Sequence, residues 1–288
     1  MVSIKNLVFG LSTAGLALAQ STCSNLQVRS EGEPAGEIRN IGGFPTYLSY
    51  PSNTTKATKA ILYISDIFGI PRPENRLLAD SLAANGYLVV MPDIYYNDSI
   101  PVDTDESTLD LSSWLPNHPP EGVDAVINST LSYMRGELGM QRIGAVGYCF
   151  GGKFVPRWLR EDEGLVDAGF IAHPSFMLDE DLMGVVGGLS IAAGSYVARG
   201  GDGDYDEHHD GDDKANMYTQ TADDPLFNTT QVARAEEILA ERNSTFQVNL
   251  YALAQHGFAV KVNASMPAHV FAKQASFVQA VTYFDMWL

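Results

Sequence analysis

The sequence predicts an α/β fold: a mostly parallel central sheet with helices on both faces. Three observations lead there. Short, continuously apolar runs alternate with helix-patterned stretches along the 288-residue chain, as strands buried on both faces require. The composition, 45% hydrophobic and 18% charged, is that of a globular protein long enough to bury a core without disulfide or metal staples. Turn-forming residues close the apolar runs, as in Ser65-Asp66-Ile67-Phe68-Gly69 after residues 60–64 and Pro92-Asp93 after residues 87–91.

In order, residues 20–45 are polar and Gly-rich, an irregular arm with an edge strand. A strand over 60–64 leads to a helix from Pro73 that stops near Gly86, then a strand over 87–91. Residues 97–120 read as a long polar loop. Val123, Ile127, Leu131, Met134 and Leu138 recur three or four apart on one helix face. Strands over 142–148, 168–172, 189–193 and 246–253 follow, with helices over 151–160 and 232–242. A last helix carries Phe271, Ala275, Val278, Val281, Phe284 and Leu288 on one face.

Residues 1–19 are set apart. Lys5 precedes an apolar, small-residue run that ends in Ala17-Leu18-Ala19, the form of a cleavable secretory signal. The run is too short to span a bilayer, which takes about 20 apolar residues, and no later stretch reaches that length. The expected mature chain is one domain, residues 20–288, outside the cell and free of the membrane. Secretion gives meaning to the N-x-S/T triplets at Asn53, Asn97, Asn128, Asn228, Asn243 and Asn263, which become candidate glycan sites.

Formal net charge is −17. Losing residues 1–19 leaves 17 basic against 35 acidic residues, a net −18. That excludes the phosphate neutralisation on which nucleic-acid binding rests. Two cysteines make no disulfide scaffold, and no Cys/His cluster has zinc spacing. Residues 199–213, RGGDGDYDEHHDGDD, suggest a calcium loop, but Glu207 stands where an EF-hand needs Gly. No metal is expected, and the acidic stretch reads as a solvated insertion.

The strongest chemical signal is Gly147-Tyr148-Cys149-Phe150-Gly151-Gly152, between an apolar strand and a helix pattern. This G-x-nucleophile-x-G form sets its central residue on a strained strand-to-helix turn, and glycines two away relieve the crowding. The following amides favour a thiolate and bind a developing oxyanion. A thiol nucleophile needs a base. Of six histidines, only His256, in Gln255-His256-Gly257-Phe258 after the last strand, follows the elbow in the required order. His173, after the strand that follows the elbow, lines the pocket floor or packs there. The third member is an acid between the 189–193 strand and His256, with Asp202, Asp223 and Asp224 as candidates.

Together these motifs resemble the dienelactone hydrolase family of the α/β-hydrolase superfamily, especially its secreted fungal members, over most of residues 40–288. The resemblance rests on Asp66-Ile67-Phe68-Gly69, Met91-Pro92-Asp93, the cysteine elbow, His256-Gly257-Phe258 and the closing Trp287-Leu288. It implies an α/β-hydrolase fold and a Cys-His-Asp triad mapping to Cys149, His256 and an aspartate. The family's acid precedes an x-Ile/Leu-Phe stretch, which Asp224-Pro225-Leu226-Phe227 matches. Asp224 is then the choice, Asp223 the reserve, and residues 196–222 an insertion. The resemblance further implies an oxyanion hole from the amides of Ile67 and Phe150, with Asp66 facing the thiol. Two arginine positions that hold a substrate carboxylate in bacterial members are not kept; one falls in Ile94-Tyr95-Tyr96-Asn97, the other at Val260.

The function expected is hydrolysis of a neutral small-molecule ester or lactone through an acyl-thioester, without a cofactor. The rivals are acyl transfer or lactone formation on the same triad, and a catalytically silent secreted binding glycoprotein on this scaffold.

Overall fold

The computed structural model describes residues 26–52, 57–106, 109–161, 165–197 and 221–288, without the side chains of 196–197 and 221–223. The proposed signal segment, Cys23, Asn53, Asp202 and the acidic stretch lie outside the described residues.

Among the described residues, nine strands form one sheet: β1 (Glu37–Ile41), β2 (Phe44–Ser49), β3 (Lys59–Ile64), β4 (Leu88–Pro92), β5 (Arg142–Tyr148), β6 (Ala168–Ala172), β7 (Gly188–Val197), β8 (Thr221–Asp223) and β9 (Phe246–Ala252). The order is β1-β2-β4-β3-β5-β6-β7-β8, with β9 also on β7. Strands β4, β3, β5, β6, β7 and β9 run parallel, while β1, β2 and β8 pair antiparallel. The α/β-hydrolase architecture expected from the motifs is thus the one observed.

Among the described residues, five α-helices flank the sheet: α1 (Pro73–Ala83), α2 (Pro120–Gly136), α3 (Asp179–Leu182), α4 (Thr229–Glu241) and α5 (Pro267–Trp287). Three begin with proline in the first turn, where a missing amide costs nothing. Helix α4 opens with a reciprocal cap. The Gln231 amide donates to Asn228 Oδ1, and the Asn228 amide donates to Gln231 Oε1 (both 3.0 Å).

Alternation along the strands divides the core. Ile61 and Tyr63 of β3 pack with Leu78 and Leu82 of α1 and Phe284 of α5. Leu62 and Ile64 point the other way, among Ile127 and Leu131 of α2 and Leu239 of α4. Each fully buried residue of this kind contributes about 1.5–3 kcal/mol.

The structure departs from the sequence reading in three places. The Gly-rich arm holds a hairpin, β1–β2, turned by Gly42 and Gly43 at positive φ. The stretch after the elbow is not an α-helix but two 3₁₀ turns, Cys149–Lys153 and Val155–Trp158, because Gly151, Gly152 and Pro156 interrupt it. On α5, Val281 and Phe284 are buried with Ala272, Phe277 and Ala280, but Phe271 is 68% exposed. Phe271, Ala275 and Val278 instead line a shallow groove against β9.

Asp80 of α1 fastens the arm before β1 to the body. It accepts from Tyr47 Oη and Ser49 Oγ through Oδ1, and from the Ala35 amide through Oδ2 (all 2.7 Å), and it pairs with Arg29 (3.3 Å). Among the described residues, no helix is long and apolar enough to cross a membrane.

Candidate active site

In open α/β sheets, ligands gather beyond the carboxyl ends of the strands. Asp66 and Ile67 follow β3 here, Cys149 follows β5, Ser175 follows β6, Asp224 follows β8 and His256 follows β9.

Cys149 sits at φ 52°, in the left-handed region that a non-glycine residue occupies only when its surroundings impose it. The glycines show what imposes it. A Cβ on Gly147 would lie 2.6 Å from the Gly151 carbonyl oxygen. One on Gly151 would lie 2.3 Å from the Ile64 oxygen of β3. The turn is therefore pressed against the sheet, and only hydrogen fits at either place.

The thiol of Cys149, free of any disulfide, lies 3.3 Å from Ser175 Oγ. The same hydroxyl lies 3.3 Å from His256 Nε2. On the far side of the ring, His256 Nδ1 lies 2.8 Å from Asp224 Oδ2 and 3.1 Å from Oδ1. Asp224 is buried, and the Leu226 and Phe227 amides donate to its Oδ1 (2.9 and 3.3 Å). The Pro225-Leu226-Phe227 turn thus orients the carboxylate before it meets the ring. Burial opposes charging of His256, but the Cys149 sulfur and the Asp224 carboxylate outweigh it and push the ring up to about 10. Of the alternative acids, only the backbone of Asp223 is described, and Asp202 lies outside the described residues.

His173 does not line the cavity. It is fully buried behind His256, with ring centroids 5.1 Å apart, and neither ring nitrogen has a hydrogen-bond partner. Burial first, then the neighbouring His256, holds its pKa well below the usual histidine value, so it packs as a neutral ring.

Asp66 borders the cavity beside Cys149 and Ile67, but it is not turned over to the thiol. Oδ1 accepts from Asn75 Nδ2 (2.7 Å) and the Phe68 amide (3.1 Å), and Oδ2 pairs with Arg72 (3.1 Å). Burial raises its pKa, and Arg72 and Asn75 recover part of that shift. Arg72 itself lies 3.5 Å above the Phe68 ring and also binds Glu106. A cation therefore enters the cavity from just ahead of α1, although both family arginine positions are empty and Val260 is buried in the core. Arg157 is engaged elsewhere, by Asp124 and Asp181.

The cavity measures about 590 Å³ and is walled mainly by Phe68, Leu109, Leu111, Leu115, Phe176 and Leu226. Part of that wall comes from the stretch read as a plain polar loop. Trp114 and His118 are buried there and stacked 3.9 Å apart, and Trp114 Nε1 donates to the Asp98 carbonyl (2.6 Å). Among the described residues, no group of three or more His, Cys, Asp or Glu side chains is placed to hold a metal.

Ser175 is the polar site residue that the sequence reading missed, whereas Arg72 is one of three arginines, with Arg157 and Arg199, that it left free to fold over the pocket. The signal available for Ser175 was its place just past β6, at the end of the sheet where ligands gather.

The site has relatives. The chain is 40% identical over 259 residues to hydrolase pyvD of Aspergillus violaceofuscus, covering 90% of this chain and 93% of the relative. It is 32% identical to hydrolase tropI of Talaromyces stipitatus (94% and 98% covered) and 27% identical to dienlactone hydrolase 1 of Gibberella moniliformis (89% and 90%). Among solved structures, a putative dienelactone hydrolase from Klebsiella pneumoniae superposes with a TM-score of 0.68 at 18% identity, covering 88% of this chain and 99% of that one. The profile of the dienelactone hydrolase family matches residues 44–288, and the chain belongs to that family.

Proposed function

We propose that this hydrolase cleaves a neutral ester or lactone through a Cys149–His256–Asp224 triad and a thioester intermediate. The observation that carries the reading is the unbroken contact Cys149–Ser175–His256–Asp224 at the wall of an apolar cavity. The Cys149 proton, passed to His256 Nε2 through the Ser175 hydroxyl, leaves a sulfur that attacks the carbonyl carbon beside the charged ring. Asp224 holds Nδ1–H and stabilises the imidazolium. The amides of Ile67 and Phe150 take the oxyanion. His256 then protonates the departing alkoxide, and later removes a proton from the water that cleaves the thioester.

Mass spectrometry of enzyme quenched during turnover of an activated ester tests this. One acyl group should sit on Cys149, and acylation at any other residue would refute the assignment. Ser175→Ala should slow formation of that adduct by roughly 10–100-fold, the range of one proton-transfer contribution. Its hydrolysis, in which the sulfur only departs, should slow less. Equal slowing of both steps would mean that Ser175 merely holds His256 in place.

Neutrality of the substrate follows from the charges at the wall. Arg72 is matched by Asp66 and Glu106, so among the described residues lining the cavity no unpaired arginine or lysine offsets the desolvation of a substrate carboxylate. The acidic chain as a whole repels anions at long range. For one lactone offered as methyl ester and as free acid, kcat/KM should favour the methyl ester, and the margin should narrow as salt rises. A clear preference for the free acid would return Arg72 to the role of carboxylate anchor.

The chain is also proposed to be secreted and glycosylated. The side chains of Asn97, Asn128, Asn243 and Asn263 are exposed, whereas Asn228 is half-buried as the cap of α4. A fungal-expressed protein should begin at Gln20 and lose mass on glycosidase treatment at the four exposed sites, with Asn228 modified least. An intact N-terminus in the culture medium would speak against the signal segment.

A further inference from the structure

A second depression, of about 460 Å³, adjoins the first and shares Arg72, Glu106, His256 and Gly257 with it. The two differ in chemistry. Leucine and phenylalanine dominate the first. The second is bordered by Thr104, Asp105, Gln255 and Lys261, with His269 at its base. Glu106 forms the divide, bound to Arg72 on one side and 3.7 Å from Lys261 on the other.

The site's geometry gives these chambers different roles. Cys149 and Ile67 border the first chamber only. The acyl carbon and its oxyanion must therefore lie there. His256, which protonates the leaving oxygen, borders both. An alcohol departing past that ring runs into the second chamber. We propose that the second chamber is the alcohol subsite, and that the substrate is an ester joining an apolar acyl group to a neutral, hydroxyl-rich alcohol. This rests on the Cys149–His256 reading above.

Charge selects neutrality. The subsite sets two cations, Arg72 and Lys261, against two carboxylates, Asp105 and Glu106, and the His256 ring that also borders it is matched from behind by Asp224. Such a wall gives hydroxyl groups donors and acceptors but offers neither an anion nor a cation a net attraction. Asn263, at the rim, keeps its carboxamide oxygen on the Ser265 amide and hydroxyl (3.0 and 2.7 Å). It is therefore not the main acceptor for a ligand.

The test compares hexanoyl esters of glycerol, propanol, choline and glycolate on the full-length secreted chain. All give the same hexanoyl-enzyme, so differences in kcat/KM arise in acylation. The glycerol ester should lead the propyl ester at least 10-fold, and both charged alcohols should fall below glycerol. Thr104→Val and, separately, Gln255→Leu should shrink the glycerol-to-propyl ratio several-fold. By microscopic reversibility, added glycerol should also intercept the acyl-enzyme as hexanoyl glycerol, more efficiently than propanol does. Equal rates for glycerol and propyl esters, with the Cys149 adduct forming normally, would overturn the subsite and leave the hydrolase reading standing. A lead for either charged alcohol would overturn its neutrality. Failure of every ester to acylate Cys149 would overturn both readings.

Discussion

Cys149→Ala should abolish ester turnover, lowering kcat by about 10⁴-fold or more, with the fold intact. A triad whose nucleophile is gone keeps only what binding and oxyanion stabilisation provide. Alanine is smaller than cysteine and meets the same φ of 52°, so it adds no new strain at the turn. The substitution also has an electrostatic signature. It removes the sulfur that helps hold His256 charged, so the ring's pKa should fall from about 10 while Asp224 still supports it. Ester hydrolysis by the purified variant, with circular dichroism for folding and NMR titration for the ring, checks both. Residual turnover within tenfold of wild type would remove Cys149 from the mechanism.

Asp224→Asn should lower kcat by about 10³–10⁴-fold with little change in KM. The carboxamide can still accept from the Leu226 and Phe227 amides, so the turn survives. It no longer fixes Nδ1–H by charge, and the amide group can present N–H to the ring and select the wrong tautomer. Asp223→Asn, and deletion of residues 200–213, should each cost far less. A severe deletion beside a mild Asp224→Asn would move the acid into that stretch.

What was legible in the sequence was what local patterns encode. The bounds of β5 and β6 follow from continuous apolar runs closed by special residues. The strained cysteine follows from glycines two positions either side. His256 follows from chain order, whereas Asp224 was one of three candidate acids until the resemblance to the family's turn after its acid selected it; the two meet at 2.8 Å. Ser175 carries no such mark. Serine is common, and its importance arises from contacts with residues 26 and 81 positions away. Arg72 was legible only as one of three arginines able to reach the pocket, and it is the stacking on Phe68 that separates it from Arg157, which Asp124 and Asp181 hold. The helix expected after the elbow failed on a local count: its apolar residues were right, but two glycines and a proline shorten each turn. The residues expected on one face of α5 do not keep to it: at about 100° per residue, Phe271 and Phe284 stand about 140° apart, so only the later members of the set point inward.

The grip of Asp80 on the arm before β1 has a practical bearing on how this enzyme is produced. Purification tags placed ahead of residue 26 leave the described partners of this carboxylate in place. Trimming into residues 29–35 to obtain a tidier start is a different matter. It strips the Arg29 and Ala35 donors and leaves a nearly inaccessible negative charge with only the Tyr47 and Ser49 hydroxyls to satisfy it. A shortened chain of that kind should come out less soluble and lower melting, although every residue of the catalytic cavity is still present.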